Sequence, residues 1–536
     1  MTNDALPDYV RALLEPASYP HTPASVELVQ THISYVFLAD DVVYKTKKPI
    51  DFGFIQQLDA ETRQRFCEAE VRLNRRLAPD VYLDTVPIAR LADGGYAVEH
   101  EGEPGSEVIE HAVKMRRLPN DRTLDHLLAA GDLPEGLIKR IVDRLVTFHG
   151  TAEVVADDRD FAGAPAERAW WQREYGEAED NIGGTWLAED AAALRSYVDA
   201  TVEREAALFD ERLALGRVVE GHGDLQAKHV YALSDDVDDL VIVDCIEFND
   251  WFHFRYLDVG YDVAFLAMDL EALGRSDLGD EFAGRYIAVA DDETIGVLQP
   301  LHRAFRAFVR GKVESIGAHA EEVPAEQREQ LAASAASYFR LSADYARRTA
   351  APSLTVLVGA SGTGKTLVGA TLAGRIGAAL VSSDLVRREL AEAEGLSAAM
   401  WQQYEAGAYS PEMNRRTYEG MRERAAAHLA DGRPVILDAT HSRADGRAEA
   451  LRVASEAGVP AVLAELQLAD DAAFARLTKR ERRAGTEVDE RAYREHIERF
   501  EAVQVGEAET QIVFDAAQPP ASLALEIAAA LPSSGA

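Results

Sequence analysis

The sequence is poor in several features that define whole classes of protein. Only 2 cysteines, Cys67 and Cys245, occur among 536 residues. They are too few and too far apart for a disulfide framework or a thiolate zinc site. No run approaches the 18 apolar residues of a membrane span. The opening MTNDALPDYV lacks the basic and apolar regions of a secretory leader, so a cytoplasmic protein is expected. Basic side chains are outnumbered 56 to 92, which gives a net charge of −36. Such a field repels phosphate backbones and anionic lipid, and it argues against a general nucleic-acid or membrane-surface binder without excluding a local basic site. Lysine is especially scarce, with nine against 47 arginines, and three of the nine (Lys45, Lys47 and Lys48) fall within four positions.

What is present describes a folded, multidomain chain. The composition is 47% hydrophobic and 28% charged, and the length exceeds a single ordinary core. Residues 33–47 predict two strands around Ala39-Asp40-Asp41, and 60–78 predict a helix. Strands are expected near 81–90, 96–100 and 109–118, mostly helix over 121–215, strands again over 217–248, and helix from 258 to 349. After Pro352, apolar strands alternate with helices, the pattern of βαβ units on a parallel sheet. Two domains are therefore expected, 1–350 and 351–536, of mixed α+β and α/β class. By charge count the first carries −29 and the second −7, so the acidity belongs mainly to the first.

Gly359-Ala-Ser361-Gly362-Thr363-Gly364-Lys365-Thr366 fits the pattern G-x-x-x-x-G-K-[ST] in full, between a predicted strand and a predicted helix. Backbone amides of such a loop cradle phosphates, the Lys neutralises their charge, and the Thr hydroxyl is a Mg²⁺ ligand. Beyond it, Asp384 and Arg387 follow a strand: a carboxylate able to take an acceptor's hydroxyl proton, and a guanidinium able to grip phosphate. The structural alternative is a helix N-cap formed by Ser382, Ser383 or Asp384. Asp438 ends the strand VILDA, where a carboxylate can hold Mg²⁺ through water or simply cap a turn. Lys479, Arg480, Arg482 and Arg483 cluster on a predicted helix. They suit a lid in which Arg480 or Arg483 stabilises transferring phosphate, or a solvated helical face.

A second constellation lies upstream. His222-Gly-Asp224 sits between apolar strands, His229 follows five residues after Asp224, and Asp244 ends the strand Ile242-Val243. One loop Asp to orient and deprotonate an acceptor, and a later Asp for Mg²⁺, is the layout of a protein-kinase-type site. His222 reads as a structural support for that loop. The H-G-D form resembles the aminoglycoside phosphotransferase and choline kinase group, whose pattern H-G-D-x-x-x-x-N implies a metal-binding Asn where this sequence holds His229, a poor partner for Mg²⁺. Either metal binding is rearranged, with Glu247 as a candidate, or this lobe is weakened. The same resemblance implies a strand Lys paired with a helical Glu to hold nucleotide phosphates, which makes Lys45 the candidate, with Glu70 its favoured partner and Glu68 the alternate. By alternation Lys47 shares the face of Lys45 and competes for the role, unless the lysine cluster only keeps an edge strand soluble.

Two resemblances follow from these motifs. Residues 351–536 resemble the small P-loop kinases that include gluconate kinase, zeta toxins and the kinase domain of polynucleotide kinase. The H-G-D segment resembles the aminoglycoside phosphotransferase and choline kinase group. The segments THISYVFL, VYKTKKP, CEAEVRLNRRLAPDVYL, HGDLQAKH and IVDCIEFND, with FRYLDVGYDVAFLAMDLE, together resemble a bacterial family that fuses the two. That resemblance implies a bilobal kinase-like domain followed by a P-loop domain, ATP and Mg²⁺ as cofactors, and phosphotransfer to a hydroxyl. A small hydroxylated metabolite, a sugar or sugar acid, is the favoured acceptor. The alternatives are a regulatory nucleotide-binding first domain, or a 5′-hydroxyl end of nucleic acid as acceptor of the second.

Overall fold

A computed structural model describes residues 6–51, 53, 55–102, 104–155, 162–248, 255–290, 292–320, 323–395, 410–483 and 490–533. The chain forms two compact units, Met1–Phe161 with Leu213–Asp262 and Ala162–Arg212 with Val263–Ala536. Among the described residues no helix is long and apolar enough to cross a membrane, and both cysteines are buried free thiols.

The first unit is built on an antiparallel sheet. Its strands are β1 (Val26–Gln30), β2 (Ser34–Ala39), β3 (Val42–Lys47), β4 (Tyr82–Arg90), β5 (Tyr96–Val98) and β6 (Glu107–Arg116), ordered β1-β2-β3-β6-β4-β5. The β2–β3 hairpin turns at Asp40, whose φ of 54° is a left-handed conformation that Asp tolerates. Period-two alternation sends Tyr44 to the face covered by Val10, Leu13 and Tyr19. The opposite face receives the helix Ala60–Asn74, whose Cys67 and Val71 pack with Tyr82 and Val113. Two short antiparallel pairs complete this unit: β7 (Val218–Glu220) with β10 (Tyr256–Asp258), and β8 (Val230–Ala232) with β9 (Leu240–Ile242).

The second unit holds a five-stranded parallel sheet of β11 (Leu354–Val358), β12 (Ala379–Ser382), β13 (Val435–Asp438), β14 (Ala461–Gln467) and β15 (Thr510–Asp515). Their order is β12-β13-β11-β14-β15. β11 is buried along its whole length, as expected of a strand covered on both faces. The helix Lys365–Ile376 is clasped by helices Ser276–Val289 and Ile295–His319. A Cβ on Gly284 would overlap Thr371, so only glycine lets these helices approach so closely. Asp280 bridges Arg303 (2.8 Å) and Arg375 (2.5 Å), and the Leu380 amide donates to the Glu293 carbonyl at 3.1 Å. Compactness thus divides the chain differently from the expected boundary at 350. Helices encoded before that residue complete the packing of the parallel sheet's own helix, because its outer face is apolar and must be covered.

Candidate active sites

In the first unit, β3 carries Lys45 and Lys47 on the helix-facing side of the sheet, one pleat apart. Glu70 of the helix Ala60–Asn74 is fully buried and pairs with both, through Oε1 to Lys45 at 2.9 Å and Oε2 to Lys47 at 2.8 Å. Glu68, two residues earlier, instead accepts from Gln64 on an exposed face. The two lysines then diverge. Lys45 also reaches Asp244 Oδ1 at 3.1 Å, whereas Lys47 closes on Glu247 in the interior. Burial would lower the Lys45 pKa, but Asp244 and Glu70 outweigh it and raise it well above the ordinary value. Lys45 in turn holds the Asp244 carboxyl well below the usual range. Burial pushes the Glu247 carboxyl up. Glu247, considered from sequence as a metal ligand, is therefore committed to Lys47.

The loop bearing Asp224 is held from beneath. His222 Nε2 donates to the Val243 carbonyl at 2.9 Å, and its Nδ1 accepts from the Asp224 amide at 3.2 Å. Asp262 accepts the amides of His222 (2.7 Å) and Gly223 (2.9 Å), with His149 Nε2 at 3.2 Å. Asp224 itself is partly exposed and accepts from Gln226 Nε2 at 2.7 Å. His229 lies between the two acids. Its Nδ1 bonds the Asp224 carbonyl at 2.7 Å, and its ring nitrogens stand 3.6 Å from a carboxylate oxygen of Asp224 and of Asp244. Asp244 adopts a φ of 69°, a costly conformation for a residue with a side chain. Its amide donates to the Tyr82 hydroxyl at 3.2 Å, and the next amide, of Cys245, donates to Asn74 Oδ1 at 2.8 Å. Lys45, Glu70, Asp224, His229 and Asp244 are thus brought into one cluster.

The second site sits at the carboxyl edge of the parallel sheet, where α/β folds place ligands. Gly359–Thr366 follows β11 directly. A Cβ on Gly362 would overlap the Ala473 carbonyl, and its φ of 87° is likewise a glycine conformation. Thr363 Oγ1 and Lys365 Nζ both donate to the Ala360 carbonyl, at 2.9 and 2.8 Å, folding the loop on itself. β13 pairs in register Leu357 with Asp438, and the Gly359 amide donates to the Thr440 carbonyl at 3.2 Å. This brings the buried Asp438 and the Thr366 hydroxyl to the same sheet edge. These are oxygen donors, the type Mg²⁺ prefers, and one carboxylate with one hydroxyl suits an ion shared with phosphates. Such an ion, when bound, neutralises charge on the transferring group.

Ser382 caps the helix Ser383–Ala393 by accepting from the Asp384 amide at 3.2 Å, so the capping alternative is realised while Asp384 stays exposed. Arg387 is buried and spans Asp384 Oδ1 (3.4 Å) and Asn414 Oδ1 (3.1 Å) of the next helix. Lys479 is exposed on the helix Asp470–Arg483. The side chains of Arg480 and Arg483, on that helix, lie outside the described residues.

A family model described as an AAA domain matches residues 354–503. Uncharacterized proteins of Mycobacterium bovis and Mycobacterium tuberculosis are each 32% identical over 433 residues, which spans 80% of this chain and 81% of theirs. The chain belongs to their family. The stretch matched by the AAA-domain model contains the complete phosphate loop Gly359–Thr366. Solved structures similar in part include a gluconokinase from Sinorhizobium meliloti 1021, 19% identical over 33% of this chain and 93% of that one, with a TM-score of 0.25. Another is a choline/ethanolamine kinase family protein from Mesorhizobium loti, 12% identical over 62% and 96%, with a TM-score of 0.34.

In this family member, sequence reasoning overlooked Asp262, His149, Gln226 and Asn74. Asp262, His149 and Asn74 support a motif from a distance (Asp262 lies 38 residues beyond Asp224), so no local spacing singles them out, whereas Gln226 acts two residues from Asp224. It also overlooked His441, which supports the phosphate-loop strand through Nδ1 to the Leu357 carbonyl at 2.8 Å. Burial pushes both His222 and His441 down to about 4 from 6.5. Each is neutral when folded and free to protonate when unfolded. Their stabilising contribution is therefore intact above pH 6.5 and is lost as pH falls toward 4. By pH 5 the expected cost is about 2 kcal/mol per histidine. Urea unfolding midpoints should drop between pH 7.5 and pH 5, and unchanged midpoints would contradict the assignment of buried neutral rings.

Proposed function

We propose that the protein transfers phosphate from ATP at two sites. The P-loop domain would act on a hydroxyl of a small metabolite, a sugar or sugar acid, and the kinase-like domain on a second or related acceptor. The observation that carries this reading is the complete phosphate loop, packed in register beside Asp438. In the second site Gly359, Ser361, Gly362, Thr363, Gly364 and Lys365 would hold the phosphates, and Thr366 and Asp438 the Mg²⁺. Asp384, exposed at a helix start, would receive the acceptor proton, with Arg387 fixing its orientation and Arg480 or Arg483 facing the transferring group. In the first site Lys45, steadied by Glu70, would hold nucleotide phosphates, Asp224 would accept the hydroxyl proton, and Asp244 would bind the ion.

One observation favours a narrower role for the first site. His229 fills the space between Asp224 and Asp244 and suits a nucleotide-binding regulatory module better than a site with two Mg²⁺ ions. A screen separates the readings. The full chain is incubated with MgATP and a metabolite mixture, and phosphorylated products are sought by mass spectrometry in wild type, Lys365→Ala and Asp224→Ala. Lys365→Ala should lower its product by about 10²–10³-fold, the effect of losing one preorganised charge contact. Unchanged turnover in Lys365→Ala would overturn the P-loop assignment. A product lost only in Asp224→Ala would establish catalysis at the first site, and one lost in neither variant would point to an unrelated activity. Labelled-phosphate transfer to a 5′-hydroxyl oligonucleotide, weakening steeply with salt, would instead place nucleic acid as acceptor.

A further inference from the structure

Three strands of the parallel sheet end in step, and one helix packs across two of their exits. In register, Leu357 of β11 and Ser382 of β12 both pair with Asp438 of β13. Two residues further on, the chain leaves the sheet side by side as Gly359 of the phosphate loop, Asp384 and Thr440. The Gly359 amide donates to the Thr440 carbonyl at 3.2 Å, which fixes Thr440 against the first residue of the loop. The phosphate and ion ligands proposed for this site do not include it.

The helix is Pro411–Ala430. Ser410 caps it by accepting from the Met413 amide at 3.2 Å, and Met413, Thr417 and Met421 form its buried row, four residues apart. Asn414 and Tyr418 form the neighbouring row, each one position on. Gly420 lets the helix lie close to the helix Ser383–Ala393, since a Cβ there would stand 3.2 Å from a Val386 methyl. Asn414 Oδ1 then accepts from Arg387 Nη2 at 3.1 Å, and the Tyr418 hydroxyl is hydrogen-bonded to Thr440 Oγ1 at 3.2 Å. The Tyr418 ring packs on the apolar core and meets His441 edge-on, with centroids 5.6 Å apart. Its apolar body is thereby held, and its polar tip is placed between the Asp384–Arg387 exit and the phosphate loop. Tyr418, Thr440 and Asn414 are each half-buried, so a small molecule can reach them.

We propose that Tyr418 and Thr440 are the acceptor-reading pair of the P-loop site. Their two hydroxyls hydrogen-bond a hydroxyl of a polyol acceptor, adjacent to the hydroxyl that faces Asp384. This rests on reading the site as a small-molecule kinase. A hydroxyl both donates and accepts, so a pair of them matches another neutral hydroxyl better than a charged group. Asn414 is a positioning residue, acting through Arg387.

The test begins with the full chain, MgATP and a mixture of monosaccharides, alditols and aldonic acids, from which the acceptor whose product Lys365→Ala lowers is taken. Steady-state kinetics with that acceptor then read KM and kcat separately in Tyr418→Phe and Thr440→Val. Each variant loses one neutral hydroxyl, so acceptor KM should rise about threefold to tenfold. MgATP affinity by calorimetry and the thermal midpoint should stay at wild-type values. Preference for the acceptor over its monodeoxy analogues should shrink in both variants, because a site built to bond a hydroxyl rejects the analogue that lacks it. Unchanged KM and unchanged deoxy preference would overturn the proposal, and so would a parallel loss of MgATP affinity and thermal midpoint, the mark of a packing role. If no member of the mixture yields a Lys365-dependent product, this inference falls, while MgATP binding that Lys365→Ala removes would leave the nucleotide reading of the loop standing. If Lys365→Ala removes neither product nor binding, both readings fail together.

Discussion

Asp262→Ala is expected to destabilise the first unit by about 3–5 kcal/mol, the scale of removing one partner from a buried charged network. Asp262 is fully buried and sits in the first turn of the helix Val259–Ala272. Its two oxygens take the amides of His222 and Gly223 at 2.7 and 2.9 Å, and His149 Nε2 at 3.2 Å. Burial alone would raise its pKa, yet His149 and His222 with these hydrogen bonds hold it well below the ordinary range. Alanine would leave two amides and an imidazole facing an apolar gap. Asp262→Asn keeps the shape but turns an N–H₂ toward groups that are themselves donors, so it should rescue little. Urea unfolding reports the energy. Amide exchange of residues 219–229 reports where the loss falls, and full protection there in Asp262→Ala would refute the role.

The second large effect concerns the two lysines of β3. Glu70→Ala should weaken nucleotide binding or turnover at the first site by about 10²–10³-fold and lower stability by about 3–5 kcal/mol. It strands Lys45 and Lys47 together in the interior, with Glu247 and Asp244 left to satisfy both. The single lysine variants should then part company. Lys45→Met removes the cation that reaches Asp244 and should abolish the nucleotide binding proposed for the first site. Lys47→Met leaves the exposed side of the cluster intact, and its loss should appear mainly as lower stability, because Glu247 is left unpaired. Equal losses of nucleotide affinity in the two variants would show that the pair does not divide its work in this way. A further control is Glu220, whose pKa burial would raise but which Arg72, Arg76 and Arg255 draw down to about 2. It fastens β7 to the helix carrying Glu70, with Arg72 Nη2 at 2.7 Å and Arg255 Nη2 at 3.0 Å.

Features written in contiguous residues were legible without coordinates. The phosphate loop is one, because eight neighbouring residues supply both the backbone conformation and the chemistry. Asp438 is another, since an apolar strand ending in Asp must leave that carboxylate at a sheet edge. Alternation alone placed Lys45 and Lys47 on one face of β3. The same reasoning could not choose between them, since two side chains of equal type on one face differ only in what lies above them. Tertiary packing made the choice by setting Asp244 against Lys45 and Glu247 against Lys47. Packing also selected Glu70 over Glu68, by the phase of the helix on the sheet. Asp262 was invisible for a related reason: its significance is a buried acceptor engaged by amides distant along the chain. The compact units were likewise decided in three dimensions, because the outer face of the helix Lys365–Ile376 is covered by helices that end more than forty residues before it. The sequence by itself determined which local chemistry each segment can offer. Tertiary structure alone determined which of those groups are paired and which are buried, because pairing and burial depend on neighbours that are remote along the chain.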